Sequence, residues 1–435
     1  MSLTDLGMLG ALLIAVPFIL RFPFTGIIGW YIISYLNPHR FAHGFASSMP
    51  FGAIFAGTTL VAWLFSREPK LPPLNAVTIL LVLFTVHFSI TTWFAYVPNA
   101  ALEEWDRTVK MTVMSLVAAS MMTSRARLQA MVWVIVLSIG FHGLKGGVFT
   151  LMSGGGHIVM GPPKSFFGDR NFLAVQMACI IPLMRYLYTY TEHRYVRYGL
   201  LGGIALVTFA VLGTQSRAGF LCLAVLGVYI IWKSRHRMQL TIAATLLSVV
   251  AVGFMPTEWV SRMETLRNVE EDTSFQGRLE SWNAAIQTAI ERPLLGGGFE
   301  AYRSPRTATP RAWHSMWFQV LGEQGLLGFF LWLSVGISTW LLLAMASRRS
   351  RHNASAAWLR DLTAMTQVSL ATFAVGGSSL DVAYIDLIFN FSVIAIGCAA
   401  ISQVDTAPRP QAPGARSAQE RQPNRSRLLT PRQDV

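Results

Sequence analysis

The sequence contains few charged residues: 13% of its 435 residues are Asp, Glu, Lys or Arg, and 53% are hydrophobic. Soluble proteins carry about 25% charged residues, so this composition excludes an ordinary soluble domain. Long polar stretches are also missing before residue 401, with residues 255–315 as the exception. This pattern excludes a soluble domain on a single anchor and predicts an all-α, polytopic integral membrane protein.

Cysteines and metal-binding motifs are also scarce. The three cysteines, Cys179, Cys222 and Cys398, lie inside apolar runs, and their spacing fits neither a zinc site nor an evident disulfide. No Asp-x-Asp motif occurs, so the metal-nucleotide site of many sugar-nucleotide glycosyltransferases has no visible ligands. We therefore predict no metal and no cofactor, and nothing in the sequence indicates a nucleic-acid partner.

Apolar runs predict about twelve transmembrane helices. No small-residue cleavage site follows the first run, so we expect a retained span, and residues 6–20 can form the first half of a kinked opening span. The predicted spans are 24–36, 51–65, 74–95, 109–122, 129–151, 172–190, 199–213, 218–232, 239–254, 316–346, 361–377 and 383–401. They form a transmembrane domain over 1–401, followed by a basic cytoplasmic tail, 402–435, whose composition predicts disorder.

The basic residues indicate an orientation. The net charge is +13, and the excess concentrates in alternate loops, which we place in the cytoplasm. These cations include Arg67, Lys70, Arg125, Arg127, Arg194, Arg197, Lys233, Arg235, Arg237, Arg348, Arg349 and Arg351. The opposite, periplasmic face receives 37–50, 96–108, 152–171, 214–217, 378–382 and the large loop 255–315.

Several cations lie on the face where few are expected. Lys145 falls within an apolar run, and Arg170 and Arg217 follow Asp169 and Ser216, two good N-cap residues. The caps place both arginines in first helical turns, where free N–H groups and the helix dipole favour an anion. These positions predict a site for an anionic ligand.

The large loop adds a helix and more cations. Apolar residues recur at helical spacing from Gly277 until Arg292-Pro293 ends the pattern, which predicts a partly helical loop with an interfacial helix carrying Arg278 at its start. Arg303, Arg306 and Arg311 follow the Gly296-Gly297-Gly298 triplet, and His314 precedes a long span. Arg forks suit a pyrophosphate or a phosphorylated lipid.

Plainer interpretations stay open. An arginine at a span end can snorkel, a lone histidine can be an interfacial residue, and the glycine triplet without a following Lys-Ser/Thr is a flexible turn rather than a phosphate loop. Asp381 and Asp386 could form a cation-coupling pair of a transporter, although we favour Asp381 as a helix cap near the surface.

Four blocks in order resemble the bacterial O-antigen ligase and polymerase superfamily. They are Gln215-Ser216-Arg217-Ala218-Gly219, Gly277-Arg278-Leu279-Glu280-Ser281-Trp282, Pro293-Leu294-Leu295-Gly296-Gly297-Gly298, and His314-Ser315 with Leu321-Gly322-Glu323-Gln324-Gly325-Leu326-Leu327-Gly328. Asn37-Pro38-His39-Arg40 and Phe167-Gly168-Asp169-Arg170-Asn171 resemble the branch of exosortase-associated O-glycosylation ligases. The resemblance covers about residues 20–400.

The resemblance implies an inner-membrane enzyme that moves a glycan from undecaprenyl pyrophosphate to a sugar of lipid A-core, at the periplasmic face and without a metal. It assigns Arg217 and Arg278 to the pyrophosphate and His314 to the acceptor hydroxyl, with inversion at the anomeric carbon if the hydroxyl attacks opposite the departing pyrophosphate. The family often has Asn after this histidine, where Ser315 stands here. Alternatives are an O-antigen polymerase, a protein O-oligosaccharyltransferase and, from a different class, a lipid-linked glycan transporter.

Overall fold

The described chain is helical throughout. The structure is a computed structural model and describes residues 3–42, 44–163, 165–233, 238–239, 273–307 and 311–406. Within these ranges no β-strand occurs, as the composition predicted. The α-helices are α1 (Leu3–Arg21), α2 (Pro23–Tyr31), α3 (Phe51–Phe65), α4 (Ala76–Trp93), α5 (Pro98–Met121), α6 (Arg125–Met152), α7 (Arg170–Tyr190), α8 (Arg194–Gly213), α9 (Arg217–Lys233), α10 (Thr273–Glu291), α11 (Met316–Arg349), α12 (Ala357–Gly377) and α13 (Asp386–Thr406).

Seven segments of the described chain are long and apolar enough to cross a membrane: Thr4–Arg21, Ala76–Trp93, Arg125–Met152, Arg170–Tyr190, Arg194–Gly213, Met316–His352 and Asp386–Gln403. Two shorter apolar helices, Pro23–Leu36 and Phe51–Phe65, match predicted spans in part. The count of about twelve stays a prediction, and residues 240–254 of the predicted span 239–254 lie outside the described residues. The tail beyond residue 406 also lies outside them, while α13 extends to Thr406.

The opening apolar runs form two helices rather than one kinked span. Phe22, with φ −134° and ψ 87°, separates α1 from α2. Ile19 near the end of α1 lies beside Gly26 in α2, while Asp5 at the start of α1 accepts a hydrogen bond from the Ala46 backbone N–H at 3.2 Å. Since Ala46 follows the end of α2, the two helices run in opposite directions.

Helix α11 is broken at Gly325. This residue has φ 68° and ψ −173°, so the predicted single span 316–346 consists of two arms, 316–324 and 326–349. The break lets the Gly296-Gly297-Gly298 turn pack against it: the N–H groups of Gly297 and Gly298 donate to the carbonyls of Gly322 and Glu323 at 2.9 and 2.8 Å. These N–H groups are used inside the protein, which agrees with a turn rather than a phosphate cradle.

Three helix starts and one helix end meet at one end of the bundle. A Cβ on Gly219, in the first turn of α9, would lie 2.9 Å from the Cβ of Ala174 near the start of α7. A Cβ on Gly376, at the end of α12, would lie 2.6 Å from Sγ of Cys222 in α9, and the next residue, Gly377, contacts Met316. We call this end, where Arg170, Arg217 and His314 lie, the site end.

Candidate functional site

The backbone next to His314 is held by two tryptophans. Trp313 is fully buried, and its carbonyl accepts a hydrogen bond from Nε1–H of Trp282 in α10 at 3.0 Å. The Trp282 ring stacks on Phe318, with ring centroids 4.9 Å apart. The indole N–H of Trp313 donates to Oε1 of Glu323 at 3.3 Å. Helices α10 and α11 together therefore fix the position from which His314 projects.

His314 itself is half-exposed and lies among charged groups. Its φ is 51°, in the left-handed region, and its Nδ1 is 3.9 Å from Oδ2 of Asp381. Burial, followed by the Arg278 guanidinium, lowers the pKa of His314 from its ordinary value, and Asp169 opposes this shift. Histidine is therefore largely neutral near pH 7 here, which is the state that a general base requires.

Asp381 joins the same cluster. Its carboxylate interacts with the backbone N–H groups of His314 and Ser315, so Asp381 holds the segment that leads into α11. Burial raises the pKa of Asp381 to about 6, against the effect of these N–H groups. The side chain is only 20% exposed, so the expectation of a surface position was wrong. Sequence reasoning placed Asp381 beside the span 383–401 and missed its proximity to His314.

Two polar atoms beside His314 are buried without a partner. Among the described residues, neither Oγ of Ser315 nor Oδ1 of Asp381 has a hydrogen-bond partner. Most buried polar atoms in proteins do have one, so such a pair in a single spot indicates a place where a ligand hydroxyl can bind. Ser315 occupies the position where the resembled family often has Asn.

Arg170 and Arg217 stand in the first turns of helices, as predicted. Oδ1 of Asp169 accepts the N–H groups of Asn171 and Phe172 at 2.7 and 3.1 Å, and Oγ of Ser216 accepts that of Gly219 at 3.3 Å. Arg217 is exposed and Arg170 is partly exposed. With the start of α11 nearby, the site end presents three helix N-termini, each of which attracts an anion.

The three arginines after the glycine triplet have protein partners. Arg303 forms an ion pair with Glu300 at 2.6 Å, Arg306 lies over the Tyr96 ring at 5.3 Å, and Arg311 pairs with Glu280 of α10 at 3.4 Å. These contacts tie the segment after α10 to α10 itself and to the α4–α5 turn. About half of the Arg303 and Arg311 side chains stays exposed, 55% and 54%.

Lys145 differs from the other predicted cations. It lies on the exposed side of α6, two turns before the helix ends, with its Nζ 5.7 Å from the centre of the Phe41 ring. This is the geometry of a cation–π contact. No contact described for Lys145 places it beside His314 or Arg278.

An apolar groove begins next to His314. It has a volume of about 320 Å³ and is formed by α11, α12 and the start of α13. Met316 and Trp317 line its upper end, and the wall continues along α11 from Trp332 to Leu341. Nine residues of helix rise by about 13 Å, so the groove is long enough for part of a hydrocarbon chain.

Comparisons with known proteins agree with the blocks named above. Residues 202–333 match the family described as O-Antigen ligase. Residues 3–192 match a family of unknown function, DUF5935. No curated protein matches the chain. The first match contains Arg217 and Arg278, together with His314, and supports the superfamily of O-antigen ligases and polymerases.

Proposed function

We propose that the protein is an O-antigen ligase, which transfers a glycan from undecaprenyl pyrophosphate to a sugar hydroxyl of lipid A-core. The family match supports glycosyl transfer of the ligase or polymerase type in a membrane protein. One observation supports the proposed roles of the site residues. His314, a half-exposed histidine of lowered pKa, lies beside Arg278 and Asp381, where three helices begin. The exosortase-associated branch stays a prediction from the sequence.

The donor pyrophosphate binds at the site end in this proposal. Arg217 and Arg278 supply charge-assisted hydrogen bonds, and the starts of α7 and α9 add the positive ends of their helix dipoles. Arg170 stands close enough to share this role, while Arg303, Arg306 and Arg311 mainly hold the segment after α10 in place. The groove beside Met316 receives the first part of the polyprenyl chain.

The chemical step is a displacement at the anomeric carbon. The acceptor hydroxyl oxygen forms a bond to C1 of the glycan, and the bond between C1 and the pyrophosphate oxygen breaks, with its electron pair leaving on the pyrophosphate. Fixed arginines stabilise the charge as it develops, so the step needs no metal. Because Nδ1 of His314 faces Asp381, Nε2 accepts the hydroxyl proton, and the carboxylate then stabilises the imidazolium.

The proposal places the site end in the periplasm of a bacterial inner membrane. At the other end of the bundle Arg127 forms a two-pronged ion pair with Glu68, at 2.6 and 2.7 Å, next to the basic residues that the positive-inside rule assigns to the cytoplasm. The partners are then the undecaprenyl-pyrophosphate glycan, the lipid A-core acceptor and the surrounding membrane lipid.

Reconstitution separates this proposal from its rivals. Liposomes with the purified protein, undecaprenyl-pyrophosphate glycan and lipid A-core are incubated with a chelator, and the lipids are analysed by mass spectrometry. Glycan on lipid A-core supports the ligase. Longer glycan on the undecaprenyl carrier would indicate a polymerase, and glycan on added protein would indicate a protein O-oligosaccharyltransferase. Movement of the glycan lipid across the bilayer without a new bond would indicate a transporter.

A further inference from the structure

A cavity separate from the apolar groove also lies at the site end, and it is lined by charged, polar and aromatic side chains. Its volume is about 460 Å³, within the range of about 300–1,000 Å³ usual for ligand pockets. All of its lining residues except Ile385 and Asp386 belong to the segment 3–192, which matches the family of unknown function. The proposed reaction so far uses Asp169 and Arg170 of that segment but none of these lining residues.

The cavity wall alternates donors and acceptors. Lys110 pairs with Asp106 one turn earlier on α5, and both line the cavity together with Arg107. Arg107 also lies close enough to interact with the charge of Asp386 across the cavity. A pocket for a phosphate alone would present donors without acids, whereas sugar hydroxyls both donate and accept hydrogen bonds. The lining therefore fits a saccharide better than an isolated anion.

Flat apolar surfaces complete the wall. The rings of Trp30, Tyr35 and Phe167 line the cavity, and each of these side chains is otherwise buried, with at most 7% exposed. The Tyr35 and Phe167 rings contact each other edge to face, with centroids 6.5 Å apart. Rigid rings beside a few polar groups are the usual composition of a pocket that fixes a ligand's orientation.

Short stretches of chain link the cavity to the reacting groups. Asp386 in its wall follows Asp381 by five residues, and Phe167 precedes Asp169 by two. Fully extended chain covers at most about 3.5 Å per residue, so Asp386 lies within about 17 Å of Asp381. The first turn of α13 separates the two recesses, because Asp386 lines the cavity while Ile388 lines the apolar groove.

We propose that this cavity, which is built mainly by the first half of the chain, binds the saccharide of the acceptor. That this saccharide belongs to the acceptor rests on the proposed function. Saccharide binding itself can be measured without any reaction. A sugar bound here would lie across the first turn of α13 from the apolar groove.

Helix α3 offers matched variants for a test. Gly52 lines the cavity, and a Cβ there would meet only the Trp30 ring, at 3.7 Å, so the backbone accepts a side chain and Gly52→Leu adds bulk to the cavity wall. Ala53→Leu fills it from the neighbouring position. Gly57 stands in the same helix with open space around it, away from the cavity, so Gly57→Leu is the control.

The probe is core oligosaccharide released from its lipid, titrated into the purified full chain in nanodiscs by calorimetry and by saturation-transfer NMR. We expect wild type and Gly57→Leu to bind alike, and Gly52→Leu and Ala53→Leu to bind at least ~10-fold more weakly, as loss of the pocket's contacts implies. Binding of undecaprenyl pyrophosphate should be equal in all four proteins.

Each possible result of this titration supports or overturns the proposed saccharide site. Equal saccharide binding by wild type and Gly52→Leu, or no binding by wild type, would overturn the assignment. Displacement of a Gly52-dependent signal by inorganic phosphate, with no signal from a neutral sugar, would overturn it in favour of a phosphate pocket. If the cavity variants lose saccharide binding while wild type transfers no glycan to lipid A-core, the cavity stands and the ligase proposal fails.

Discussion

Replacing Gly325 by alanine tests whether the break in α11 requires glycine at this position. Its φ of 68° and ψ of −173° belong to a region that only glycine adopts readily, and another residue there is strained by about 1–3 kcal/mol. A Cβ would also lie 2.7 Å from the Pro293 carbonyl oxygen and 2.9 Å from that of Arg292. Neither backbone atom can move cheaply, so crowding adds about 1–3 kcal/mol.

We therefore expect Gly325→Ala to lower the free energy of unfolding by about 2–6 kcal/mol, the sum of strain and crowding. Gly336 lies in the second arm of the same helix with open space around it, so Gly336→Ala should be neutral or stabilising by up to about 1 kcal/mol. Both are measured by reversible SDS-induced unfolding followed by circular dichroism. Equal effects of the two changes would refute the reasoning.

Three further predictions concern the site. The activity of wild type should fall in acid, at a pH below the ordinary histidine pKa, since His314 must be neutral and its pKa is lowered. Arg278→Gln should move this acid limb of log kcat/KM to higher pH, and Asp169→Asn, whose amide still caps α7, should move it to lower pH. Shifts of both variants in the same direction would contradict the account. Ser315→Ala should raise KM for the acceptor about 5–10-fold without loss of stability, because its Oγ has no partner among the described residues. Gly336→Trp should fill the apolar groove and raise KM for the donor, whereas Gly202→Trp on the exposed side of α8 should leave this KM unchanged. An unchanged donor KM in Gly336→Trp would show that the groove does not bind the donor.

Local signals made much of the fold predictable. Asp169 and Ser216 marked the starts of α7 and α9 because their side chains satisfy free N–H groups, and both bonds are present. The helix of the large loop ends at Glu291, just before Arg292-Pro293 as predicted, although it begins at Thr273, four residues earlier than expected.

The break in α11 was not predictable from apolar content. Residues on both sides of Gly325 read as one long span, and the break depends on the carbonyls of Arg292 and Pro293, which a distant part of the chain supplies. A signal was present in Glu323, because an ionisable residue inside an apolar run usually has a partner or a function. Its Oε1 accepts hydrogen bonds from the Glu300 backbone N–H and from Trp313.

The sequence named the candidate site residues but not their geometry. Misplaced cations pointed to Arg217 and Arg278, but the pairing of His314 with Asp381 joins residues far apart in sequence. The cavity proposed to bind a saccharide was missed because residues 96–108 were predicted as a loop before a short span. Pro98–Met121 is instead one helix, which places Arg107 and Lys110 in a common wall. Lys145 satisfied the same charge argument, yet its described contact is with the Phe41 ring.

The central claim is that His314 takes the proton of the acceptor hydroxyl. Single-turnover transfer from undecaprenyl-pyrophosphate glycan to lipid A-core, with chelator present, should be ~10²–10⁴-fold slower in His314→Gln than in wild type, as loss of a general base implies. Donor binding should be unchanged in the same variant. Transfer by His314→Gln at the wild-type rate would contradict the account.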